Sequence, residues 1–264
     1  MEPEEYIEDR DDLPDYREPE KIARSELSDA LGRLHLLGGD LYLRMQAFNL
    51  AVVDQFIMQL EYETLRKLHD EELTPVPETI FLSAQSQMWV FAAYEILRTW
   101  RERAKDVLNL YNNGGNGGVK QKIDALEKEL GYLHVGRKLR ADQLRQVLDD
   151  PTIIDKIKGD IRTTHIPFAR IEYIRVALAK HEVRGNKKSI AYAPGYGRIN
   201  RWCGSLDYQL ENGGAIMGYI SRRDIADELR AISDRSRPPT DEDLASFDEF
   251  MKGPPANPFP RMDK

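Results

Sequence analysis

The chain is poor in cysteine: Cys203 stands alone among 264 residues. A single thiol excludes an internal disulfide and any zinc cluster built on cysteines, and it suits a reducing compartment such as the cytoplasm. Long apolar runs are also lacking. The longest, residues 88–97, covers about ten positions and contains Glu95, well short of the roughly 20 that span a bilayer. No membrane segment is expected. The N-terminus, MEPEEYIEDRDDLPDY, is acidic where an export signal is basic and then apolar, which argues against export.

Recognisable catalytic signatures are missing too. No HExxH, GxSxG, Walker loop or dinucleotide fingerprint occurs. The five histidines, His35, His69, His134, His165 and His181, never stand three or four residues apart, so no metal site is preformed on a helix and neither metal nor cofactor is expected. The run Asn112-Asn113-Gly114-Gly115-Asn116-Gly117-Gly118 has no Lys-Ser/Thr after it and no strand pattern before it. It reads as a flexible connector and not as a phosphate cradle. No solenoid period and no sustained heptad is present.

What is there is helical periodicity. Residues 83–112 form the longest helical pattern free of Gly and Pro; the first half is apolar nearly all round, which predicts burial on more than one side. Farther on, Trp100, Ala104, Val107 and Leu108 keep an apolar stripe while Arg98, Arg101, Glu102 and Arg103 take the face expected to meet water. A second long helix is expected at 41–72, opened by Asp40 as N-cap, with Leu41, Met45, Phe48, Val52, Phe56 and Leu60 at helical spacing. Asn49, Asp54 and Gln55 interrupt it and are expected to face solvent or a neighbouring helix. The Pro-rich break at 74–77 makes the two long helices an antiparallel pair. Glu95, set among apolar residues, needs a partner, and Arg98 and Arg101 are the near ones.

Shorter helices follow at 119–130, 138–148, 152–164 and 169–183, with Pro167 marking a kink or break. Ser189–Tyr192 is β-like, 193–197 is a turn, and 198–202 is expected to pair back. The segments 206–210 and 215–220 around Asn212-Gly213 give the best hairpin signal. Ser221 with Asp224 resembles a capping box opening a helix through Leu229. The expected class is therefore mainly α: an antiparallel helical bundle with two long helices and a small C-terminal β-hairpin and helix appendage. Its expected parts are an acidic tail (1–20), the bundle (21–184), the appendage (185–234) and a Pro-rich tail (235–264), in which LASFDEFM reads as a docking peptide.

Charge is uneven. The net value is −7, which speaks against general nucleic-acid binding, and the first twenty residues account for more than all of it. Between 162 and 201 the balance reverses, with nine Lys and Arg opposed only by Glu172 and Glu182. This basic region holds Arg162, His165, Tyr196, Arg198, Arg201 and Trp202, a mixture of arginines and aromatics that suits single-stranded RNA as well as local packing. It also contains Arg175 to His181, RVALAKH. In this motif the sequence resembles the HEPN family of helical bundles, whose ribonuclease members carry an Arg, four to six residues and a His on a late helix; Val176 stands where that family often has a polar residue. The resemblance implies a metal-independent, RNA-cleaving enzyme of defence or toxin type acting across a dimer. Arg175 would stabilise phosphate charge and His181 would serve as general acid or base.

Two functional expectations result. One is a cytoplasmic, helical interaction protein that self-associates through its long helices and binds a protein partner. The other is the HEPN-like endoribonuclease with Arg175 and His181 as catalytic residues.

Overall fold

The computed structural model describes residues 16–128, 134–180, 182–183, 186–190, 197–212 and 215–253. A 3-10 turn (Pro19–Lys21) and a short helix α1 (Glu26–Gly32) lead into α2 (Leu41–Glu71). Asp40 caps α2 as expected, its Oδ1 accepting from the Leu43 N–H at 2.9 Å, and the carboxylate suits the positive end of the helix.

The chain then returns along α2 as α3 (Val76–Lys128). Its one non-helical residue is Gly115, at φ 54° and ψ −147°. A Cβ placed on Gly118 would stand 2.8 Å from the Leu110 carbonyl oxygen, which a straight helix would put far away, so the limb 116–128 folds back on the limb 76–114. The Asn/Gly run thus breaks the helix as a connector would. The break narrows to one glycine because Val119 and Ile123 are buried and hold the second limb.

Next come α4 (Val135–Asp149), α5 (Thr152–Thr163) and α6 (His165–Lys180). The break between α5 and α6 falls at Thr164, and Pro167 lies in the first turn of α6, where its missing N–H costs nothing. Strands β1 (Glu182–Val183) and β2 (Asn186–Ile190) pair with each other. Strand β3 (Arg198–Ile199) does not pair back onto that segment. It joins β4 (Leu206–Asn212) and β5 (Ala215–Ser221) in an antiparallel sheet of order β3-β4-β5. The expected capping box is present: Ser221 Oγ accepts from Asp224 N at 3.1 Å and Asp224 Oδ2 accepts from Ser221 N at 2.7 Å. It opens α7 (Arg222–Ala231). The segment read as a Pro-rich tail contains a further helix, α8 (Asp241–Lys252).

Among the described residues the fold is mainly α, with eight α-helices, two of them long, and a small C-terminal antiparallel sheet. One continuous apolar cluster joins α1, α2 and α3 (Leu31, Leu43, Trp89, Leu97, Trp100) to α6 (Ile171, Ile174), the hairpin (Leu206, Tyr208) and α7 (Ile225, Leu229).

Inside this cluster runs a charged seam. Arg222 is fully buried; its Nε and Nη2 donate to the two oxygens of Glu61 at 2.9 and 2.7 Å, and its Nη1 donates to Asp54. Arg230 bonds the other Asp54 oxygen, and its Nη1 donates to Asp227 at 2.5 Å. The Trp89 ring lies 5.3 Å from the Arg222 guanidinium. Burial alone would lower the Arg222 pKa, but Glu61 and Asp54 outweigh it and hold the guanidinium above its ordinary value. Of the two settings expected for Asp54, water or a neighbouring helix, the structure shows the second: it clamps α7 to α2. Beside this seam Gly204, at φ +76°, presses so closely on α2 that a Cβ would run into the Glu61 carbonyl oxygen.

Arg101 also departs from expectation. It is buried, with Nη1 donating to Thr164 Oγ1 at 3.0 Å and to the Ile161 carbonyl at 3.2 Å, and it lies over the Phe168 ring at 4.6 Å. Burial pushes its pKa down. It joins α3 to the α5–α6 break. Glu95 is half exposed and takes the other arginine, accepting from Arg98 Nη2 at 2.8 Å and Nε at 3.0 Å.

Candidate functional site

The residues singled out in the basic region fall into separate groups. Arg198 lies on β3, and Arg201 and Trp202 lie on the turn that follows; all three are exposed, Trp202 by 50%. Asn200 builds that turn. Its side-chain oxygen accepts from Trp202 N at 2.9 Å and Cys203 N at 3.2 Å, and its Nδ2 donates to Asp207 at 3.1 Å. Tyr196 lies outside the described residues. Arg162 and His165 lie on another element, at the α5–α6 break, and are engaged by α8. Arg175 lies on α6 with its guanidinium 4.7 Å from the Tyr94 ring of α3. His181 lies outside the described residues, so of the Arg–His pair of the RVALAKH motif only the arginine is described.

At the α5–α6 break, His165 Nε2 is 2.7 Å from Asp248 Oδ1. Arg162 Nη1 bonds the Asp241 carboxylate, and its Nε donates to the Pro239 carbonyl. Between these contacts the Phe247 ring is buried, edge-on to His165 at 6.4 Å and 5.6 Å from the Arg170 guanidinium. Burial pushes the Arg170 pKa down; the same side chain also pairs with Glu228 of α7.

A second feature is the orientation of α2, whose apolar stripe the sequence showed and whose outward direction it did not. The stripe Leu41, Met45, Phe48, Val52 and Phe56 on α2 does not enter the core, each residue being between 54% and 63% exposed. At 100° per residue the five fall within an arc of about 80°. The face packed against the rest of the fold is the opposite one, formed by Leu43, Ala47, Leu50, Asp54, Ile57 and Glu61. The positions that continue the outer stripe are Gln59, Glu63, Arg66 and Asp70, all exposed. The apolar face is therefore bounded and spans four turns. Tyr42 and Val53 widen it on α2. Toward α3 it borders a groove of about 420 Å³ lined by Asn49, Val53, Met88, Trp89, Ala92 and Glu95. The signal was in the sequence, since α2 carries large apolar residues on two sides.

Among the described residues no group of three or more His, Cys, Asp or Glu could hold a metal ion, and no helix is long and apolar enough to cross a membrane. Comparison with family models, with curated proteins and with solved structures finds no match, so no relative's activity can be carried over to this chain.

Proposed function

We propose that this is a helical interaction protein of the cytoplasm that pairs with a second copy of itself through the outer stripe of α2. The observation that carries the reading is the bounded apolar face from Leu41 to Phe56. Soluble monomers rarely expose contiguous apolar patches of more than a few hundred Å². With each large apolar residue contributing on the order of 100 Å², the seven on α2 expose roughly 700 Å², close to the ~800 Å² per partner of a standard interface.

The charged end of the stripe favours a second copy over a lipid surface or an unrelated groove. A two-fold pairing centred near Phe48 matches apolar half to apolar half and leaves Glu63, Arg66 and Asp70 in water, which is the self-complementarity an isologous contact requires. The buried thiol of Cys203 is consistent with a reducing compartment.

Pairing about Phe48 brings position 48 of one copy beside position 48 of the other. A Phe48→Cys chain under mild oxidation is expected to become a covalent dimer, because Cys203 is buried and does not interfere. A Lys120→Cys chain, carrying its thiol on an exposed site of another limb, is expected to stay single. Equal cross-linking of the two, or none at position 48, would sink the reading.

A further inference from the structure

Helix α8 is attached to the molecule in the way a bound peptide is. Of its twelve residues only Phe247 is buried, whereas the ten-residue α7 buries six. Two attachments of α8 are charged and lie at the surface: Asp241 on Arg162, and Asp248 on His165. Space flanks the helix on both sides. One open groove of about 790 Å³ runs between α6 and α8, lined by Ile166, Arg170, Arg237, Pro239, Phe247 and Phe250. A second, of about 310 Å³, lies toward the hairpin between Tyr16, Tyr219, Phe250 and Met251. Phe250 borders both and is 49% exposed.

The helix also carries its own folding signals. Thr240 Oγ1 accepts from Asp243 N at 3.1 Å and Asp243 Oδ2 accepts from Thr240 N at 2.7 Å, a complete capping box, and Gly253 follows its last turn. The connection from α7 contains Pro238-Pro239 and no helix or strand after Ser233. Charge is complementary across the contact. Asp241, Glu242, Asp243, Asp248 and Glu249 oppose Lys252 alone on the helix, and Arg162, His165 and Arg170 lie beneath.

We propose that the α6 face beneath α8 is a docking groove for an acidic amphipathic helix with one aromatic anchor, and that the chain's own α8 fills it reversibly. The partner in trans has the chemistry of α8: an aromatic ring at the Phe247 position, with carboxylates one residue after it and six before it. The RNA contact considered for Arg162 and His165 would compete with α8 for the same two side chains.

The test uses the full chain and a fluorescent peptide of residues 238–253. Phe247→Asp removes the anchor of the internal helix and leaves the groove free. The labelled peptide is expected to bind the Phe247→Asp chain, more weakly as salt rises, and to bind the wild type at least about tenfold more weakly, because the tethered helix competes at high effective concentration. A peptide carrying the same Phe247→Asp change is expected not to bind. Equal affinity for both chains, no binding to the variant chain, or a variant chain that no longer folds would overturn the proposal; the last would make α8 an integral part of the core. Hydrogen exchange on the wild type gives an independent reading. Amides of 241–252 are expected to exchange at least about tenfold faster than those of 222–231, and equal protection contradicts a displaceable helix.

Discussion

Glu61 and Gly204 show how much of this molecule's stability sits at single positions, one for the charge it carries and one for the side chain it lacks. Arg222 is fully buried with Glu61 and Asp54 as its acceptors. Glu61→Ala removes two of the three carboxylate oxygens that accept from this buried guanidinium, and the expected loss is about 3–5 kcal/mol in urea unfolding; a loss below about 1 kcal/mol would mean that the seam is hydrated and not closed. Gly204→Ala adds a Cβ at positive φ against the α2 backbone and is expected to cost more than about 2 kcal/mol. Burial and the carboxylates of Glu61 and Asp224 push the neighbouring Cys203 thiol up to about 12. It should therefore ignore disulfide reagents at pH 8 in the folded protein and react fully in denaturant; fast labelling of the native chain would contradict its burial.

At the scale of elements, the signals legible in the sequence were the local ones. Asp40, the Ser221–Asp224 box and the glycine break near 115 act through hydrogen bonds and backbone angles within a few residues, so a short window contains their whole cause, and the pairing of β4 with β5 joins segments adjacent in the chain. The orientation of α2 was not legible. Its two faces both carry apolar residues at the same period, and the face that goes inward is the one bearing Asp54 and Glu61, chosen by Arg222 and Arg230 more than 160 residues away. Arg101 is the same case, since its partners Ile161 and Thr164 lie on the α5–α6 break. Of the candidate site residues, Arg162 and His165 do share a contact, but what meets them is α8, part of a segment that its prolines made look like tail. That helix has a pH dependence of its own. Backbone and side-chain hydrogen bonds from Thr240 hold the Asp243 carboxyl below its ordinary value. A lowered folded-state pKa contributes stability that is present above the unfolded value and disappears as pH falls through the depressed one. Amides of 241–252 should thus lose protection below about pH 4; unchanged protection at pH 3 would contradict this role for the capping box.

Across the described residues, the fold has one apolar cluster wrapped around α3 and a second, outward apolar face that this cluster does not use. The buried seam explains why that face is free: α2 spends its inner side on Arg222, Arg230 and the hairpin, which leaves Leu41, Met45, Phe48, Val52 and Phe56 for another surface. The proposal that two chains meet there has a direct test in the mass of the particle at micromolar concentration. Sedimentation equilibrium should give twice the chain mass of 30.4 kDa for the wild type and the single mass for Phe48→Glu, with helix content unchanged. A wild type of 30.4 kDa, or a Phe48→Glu chain that remains paired, would contradict the account.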